Sequence, residues 1–93
     1  MTYAIEFTPG AERDIDALPA KVRPVVGAAI AALAETPLPP GSAALKSTLK
    51  GSYRLRVGDY RVGYQADHKA GIVTVWQVGR RGKFYEKATR RKR

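Results

Sequence analysis

The stretch from Tyr53 to Gln65 constrains this chain more than any other. Tyr53, Leu55 and Val57 alternate with Arg54 and Arg56, a period of two that places successive side chains on opposite faces of a strand. Gly58-Asp59 follows, a two-residue turn with Gly first, the pattern of a type II′ hairpin. The chain returns as Tyr60-Arg61-Val62-Gly63-Tyr64-Gln65. With that turn, Val57 pairs with Tyr60, Arg56 with Arg61 and Leu55 with Val62. One face then carries Tyr53, Leu55, Val57, Tyr60, Val62 and Tyr64, an apolar bed for helices. The other carries Arg54, Arg56 and Arg61. Two arginines directly opposite one another repel and destabilise a sheet. That face calls for an anion, from a ligand or from a partner's carboxylates.

The helices that cover the apolar bed lie upstream. Tyr3 to Phe7 alternates and is rich in β-formers, which predicts a first strand. Thr8-Pro9 reads as a helix start, with Thr as N-cap and Pro in the first helical position. Ala11, Ile15 and Leu18 share one helical face, and Pro19 closes the helix. Val22, Val25, Val26, Ala29, Ile30 and Leu33 repeat at helical spacing, so a second helix starts near Lys21 with Pro24 in its first turn. Thr36 to Ser42 is a proline-rich connector, and residues 43–50 are either one helical turn or an ordered loop.

Beyond the hairpin, a five-residue loop from Asp67 to Gly71 leads to a β-rich run from Ile72 to Val78. Closed that way, Gln65 pairs with Val73 and Arg61 with Gln77. Continued alternation puts Gly79 and Arg81 on the arginine face, with Tyr85 shortly after the strand. A basic terminal segment follows. The expected fold is therefore α+β: an N-terminal strand, a two-helix hairpin, then a mainly antiparallel sheet. At 93 residues the expectation is one domain, residues 1–93.

Charge sharpens this. Residues 1–45 hold three basic and five acidic residues, net −2, whereas residues 46–93 hold fourteen and three, net +11. Such asymmetry points to a polyanionic partner. Arginines often decorate the exposed face of a half-covered sheet. That explains any one of them, but not four on one face with almost no intervening acid. Arginine's planar fork suits phosphate or carboxylate.

Missing residues narrow the chemistry. No cysteine is present, so there is no thiolate nucleophile and no zinc–thiolate site. His68 is the lone histidine and sits in a predicted loop, which excludes a paired-histidine RNA hydrolysis. Carboxylates do not gather near the arginines as a two-metal nuclease requires. No phosphate-binding loop ending in Lys-Ser/Thr occurs. No metal or small-molecule cofactor is implied. With no membrane-spanning run and no signal-peptide pattern, the expectation is a cytoplasmic protein without a membrane partner.

Tyr53 to Tyr64 resembles the central hairpin of the RelE/ParE toxin superfamily. Val78-Gly79-Arg80-Arg81 followed by Tyr85-Glu86-Lys87-Ala88 resembles its C-terminal motif, and Leu45-Lys46 to Lys50-Gly51 its pre-hairpin loop. The resemblance covers nearly the whole chain and implies a toxin of a type II toxin–antitoxin system. In the RelE branch it implies a ribosome-dependent endoribonuclease, an mRNA interferase that cuts mRNA in the A site by 2′-hydroxyl attack on phosphate. It also implies the ribosome, mRNA and a cognate antitoxin as partners, and the basic surface predicts that this antitoxin is acidic. Carried over by position, the catalytic residues are Arg54, Arg56, Arg61, Arg81 and Tyr85. Lys46, Lys50, Arg80 and Lys83 are the accompanying RNA-binding candidates. RelE-type toxins often carry lysine where this chain has Arg54 and Arg56; arginine does not serve as a base, so both are read as phosphate and leaving-group stabilisers. The ParE branch implies instead a DNA gyrase inhibitor without nuclease activity. A non-catalytic basic binding module is the third reading.

Overall fold

The structure, a computed structural model, describes residues 2–45 and 51–84. The elements run β1 (Ala4–Phe7), α1 (Pro9–Asp16), α2 (Arg23–Ala32), β2 (Ser42–Ala44), β3 (Ser52–Val57), β4 (Tyr60–Asp67) and β5 (Ile72–Arg80). They build an α+β fold, with the two helices on one five-stranded sheet in the order β1-β5-β4-β3-β2. All neighbours are antiparallel except β1 and β5, which pair in parallel from Ala4–Ile72 to Phe7–Val75.

The apolar bed is where alternation placed it. Leu55, Val62, Tyr64, Val73, Val75 and Val78 meet Ala11, Leu18, Val26, Ile30 and Leu33 in the main core, with Tyr53, Val57 and Tyr60 at its margin. The Tyr64 hydroxyl donates to the Pro37 carbonyl at 2.7 Å, tying the proline-rich connector to the sheet. Burial pushes the Tyr64 phenol pKa up from its ordinary value. The Tyr53 ring stacks on Tyr64 at 5.8 Å.

Local signals set the helix ends. Thr8 Oγ1 accepts from the Ala11 N–H at 3.2 Å, and Pro9 occupies the first turn. Thr8→Ala removes that cap and is expected to lower unfolding free energy by about 1 kcal/mol in a urea titration. Where β1 no longer covers β5, α1 takes over the edge: the Asp14 carboxylate accepts from the Val78 N–H at 3.0 Å. That satisfies an edge donor which would otherwise invite another strand.

Two expectations are corrected. The 43–50 region begins with β2, a short edge strand pairing Ala43 with Arg54. The β4–β5 connection is tighter than predicted, because Asp67 and Ile72 are themselves a pair. The Asp67 carboxylate accepts from the N–H groups of Lys69 and Ala70 (3.1 and 3.0 Å), and Gly71 takes a φ of +70°. The register is therefore Gln65–Thr74 rather than Gln65–Val73. A bulge then shifts it again, so Arg61 pairs with Gly79 rather than Gln77.

Candidate functional site

The arginine face starts from the β3–β4 register, which pairs Arg56 with Arg61 directly and Arg54 with Gly63. Arg56 is exposed and Arg54 half-buried. Arg61 is only 7% exposed, yet it faces another arginine. Buried arginines are ordinarily paired with a carboxylate. Here the guanidinium folds back on the hairpin turn, and Nη1 donates to the carbonyls of Gly58 (3.0 Å) and Tyr60 (2.9 Å). Among the described residues its Nε and Nη2 have no partner. A guanidinium carries five donors in a planar fork, so the edge left over suits an oxyanion.

Arg81 reaches the same turn from the other side. Its backbone N–H donates to the Asp59 carbonyl at 2.9 Å, which draws the end of β5 against the hairpin tip. Arg81 is exposed and opens a helical stretch over residues 81–84, so it does not extend the strand as continued alternation assumed. Its backbone nevertheless stays at the hairpin turn that Arg61 also holds, because the chain turns there.

What turns it is a second apolar cluster, which strand alternation and helical spacing do not predict. The bulge puts both Trp76 and Gln77 on the arginine face of the sheet. Trp76 packs with Phe84, which is wholly buried, and with Leu45. Gly63 makes room: a Cβ there would lie 3.0 Å from the Phe84 ring and 3.1 Å from the Trp76 indole. Gln77, also buried, donates from Nε2 to the Phe84 carbonyl at 2.7 Å. One ring over a glycine and one amide bond thus fix where the helical residues 81–84 begin. The bulky pair Trp76 and Phe84, eight residues apart with Gly63 on the neighbouring strand, was the available signal.

Lys83 is exposed within that helical stretch. Arg80 is separated from the other cations. It pairs with Tyr60, on the helix side of the sheet, and its guanidinium carbon lies 5.8 Å from the Tyr60 ring centroid. Tyr85, Lys46 and Lys50 lie outside the described residues. His68 is an exposed turn residue whose Nδ1 meets the Tyr3 hydroxyl at 2.7 Å, at the opposite end of β4 from the arginine pair. Among the described residues no three His, Cys, Asp or Glu side chains group closely enough to hold a metal ion. Nor is any described helix long and apolar enough to cross a membrane.

Comparison with known proteins follows the same lines. The family model described as the ParE toxin of type II toxin–antitoxin systems (parDE) matches residues 5–85. Toxin RelG of Mycobacterium tuberculosis is 33% identical over 88 residues, which is 94% of this chain and all of that protein. The toxin–antitoxin complex RelBE2 of the same organism contains a chain that is 32% identical, with a TM-score of 0.76 over 87% of this chain and all of that one. The archaeal RelE–RelB complex of Pyrococcus horikoshii contains one at 25% identity and TM-score 0.76, over 89% of this chain and 99% of that one. Hairpin register, sheet order and these likenesses agree, and the chain belongs to the RelE/ParE superfamily of type II toxin–antitoxin toxins, on its RelE-like branch.

Proposed function

We propose that this toxin is a ribosome-dependent endoribonuclease that cuts mRNA in the A site without a metal ion. The observation behind the reading is Arg61: nearly buried, opposite Arg56, and balanced by backbone carbonyls of the hairpin turn rather than by a carboxylate, with the Arg81 backbone bonded to the same turn. Such a grouping favours an anion, and its forked donors suit a phosphate. In the reaction the RNA 2′-oxygen attacks the adjacent phosphorus and the bond to the 5′-oxygen breaks. Charge builds on the phosphoryl oxygens, where Arg61 and Arg81 stabilise it; Arg54 and Arg56 hold the phosphate and leaving group. The 2′-hydroxyl must lose a proton and the departing 5′-oxygen must gain one. Arginines do neither at working pH. Tyr85 is the member of the set with an exchangeable proton, and its pKa must fall from about 10 for it to act as a base. It can also stack on a splayed base. Lys46, Lys50 and Lys83 are assigned to the RNA backbone. Arg80, on the helix side, is assigned to ribosomal RNA rather than to the cleaved strand.

The cognate antitoxin is read as an acidic chain that brings carboxylates to the arginine face in place of phosphate. The relatives crystallised in toxin–antitoxin complexes support a cognate antitoxin, and the net charge of +9 supports its being acidic. A second reading comes from the family description, which names a ParE toxin: inhibition of DNA gyrase by binding alone. Primer extension on the same mRNA, translated and untranslated, separates the two. The nuclease reading expects new 5′ ends in translated message only. Intact message together with accumulated gyrase–DNA breaks would establish the gyrase reading, and intact message with no breaks would leave a basic binding module.

A further inference from the structure

Beside Trp76, away from the hairpin tip, the arginine face opens into a cleft of about 460 Å³. Small-ligand sites run to roughly 300–1,000 Å³. The floor is Gln65 and Thr74, a cross-strand pair of β4 and β5. One wall is Trp76, and the other is the start of α1, with its N-cap Thr8 and, a turn further on, Arg13. Alternation along β4 puts Gln65 on the same side as Arg61 and Gly63. Four residues of strand separate Gln65 from Arg61, about 13 Å.

The lining has a particular chemistry. The Gln65 carboxamide offers donors and an acceptor, and the Thr74 hydroxyl offers both. Neither side chain has a hydrogen-bond partner among the described residues, and both are half-buried. Trp76, 6% exposed, closes one side and Arg13 adds a cation, while no carboxylate lines the cleft. Sequence-specific recognition of single-stranded RNA reads the edge of a splayed base with neutral donors and acceptors of this kind. An acidic protein segment is served better by the arginine cluster at the other end of the face.

We propose that this cleft takes a nucleobase of the RNA strand held at the arginine face, and that Gln65 reads its hydrogen-bonding edge. The inference rests on the endoribonuclease reading and adds a specificity subsite to it. Bidentate amide contacts of this kind discriminate between bases by about tenfold or more. The toxin is therefore expected to prefer one base at one position flanking the cut.

The test uses ribosomes programmed with messages that vary the flanking bases, with cleavage read by primer extension. Wild type should show at least about a tenfold preference at one position. Gln65→Ala, and Thr74→Val as a near-isosteric second variant, should bring that ratio toward one. A wild-type ratio retained by both folded variants overturns the subsite while leaving the nuclease reading intact. If the wild type cuts no translated message, the nuclease reading itself fails and the subsite with it. Trp76 is the only tryptophan in the chain, so its fluorescence reports directly on the cleft. Quenching by a 2′-O-methyl oligonucleotide, lost when one nucleotide is made abasic, supports the proposal. Quenching by an acidic antitoxin peptide but not by RNA assigns the cleft to a protein partner and overturns it.

Discussion

Arg81→Ala and Arg61→Ala are each expected to slow cleavage of translated mRNA by roughly 10²–10³-fold, the usual loss when one donor to a developing oxyanion is removed. The two variants should differ in stability. Arg81 is exposed, and its only bond to the hairpin tip is made by the backbone. Its truncation should leave the melting temperature within a degree or so of wild type, since surface changes rarely exceed about 0.5 kcal/mol. Arg61 is buried and holds the carbonyls of Gly58 and Tyr60. Its truncation leaves the half-buried Tyr60 carbonyl short of a donor, at about 1–3 kcal/mol, while the exposed Gly58 carbonyl turns to water and repulsion from Arg56 is relieved. Cleavage rate and thermal melt together separate chemistry from folding. The double variant should lose less than the product of the single effects, because donors that serve one phosphoryl group act as a unit. Wild-type cutting by Arg81→Ala would remove Arg81 from the site.

Phe84→Ala is expected to abolish most cleavage without touching an arginine. Truncating a fully buried phenylalanine costs roughly 3–5 kcal/mol when the surroundings cannot collapse. Here the lost contacts are Trp76, Leu45 and the space over Gly63, which sit apart from the main core. The helical stretch from Arg81 can detach from the sheet while β1 to β5 stay folded, so the global penalty is capped at the cost of that detachment. The expected pattern is a modest fall in melting temperature, a large fall in cleavage, and faster trypsin cutting at Arg81 and Lys83. A fall in melting temperature as large as that from a main-core truncation such as Leu33→Ala would show that the two clusters unfold as one.

Legibility in the sequence tracked the range of the interactions. The β3–β4 hairpin was read to the residue, because a two-residue turn leaves no slack in register. Both helices were found from spacing and capping signals, which act within a turn or two of chain. The β4–β5 pairing departs from simple alternation twice, once at the loop and once at the bulge. Each departure moves the register by one residue, and a one-residue slip swaps faces. The second undid the first, so Gly79 falls on the arginine face for a reason that simple alternation did not contain. The Trp76–Phe84 cluster leaves only a faint trace, two bulky rings and a glycine on the neighbouring strand, because it depends on where the chain goes after β5, which no local periodicity encodes. Consequently Arg81 opens a helical turn, where alternation predicts a strand residue. Arg80 and Arg81, adjacent in sequence, went to different sides.

The parallel clasp between β1 and β5 also dictates an order of events. Ala4 has to wait for Ile72, sixty-eight positions later, before the first strand has a partner. Ribosomes add about 5–20 residues per second, so the wait is roughly 3–14 s. Until β3 and β4 are made, Val26, Ile30 and Leu33 have no sheet to cover. Pairings so distant in sequence also slow folding, since the entropy of closing the intervening chain is lost before any contact returns it. The arginine pair of β3 and β4 is flanked by β5 and completed by the turn at Arg81. The growing polypeptide therefore carries Arg56 and Arg61 on an isolated hairpin until β5 pairs with β4 and the Arg81 N–H reaches the Asp59 carbonyl, so the two sides of the hairpin tip meet only once the fold closes.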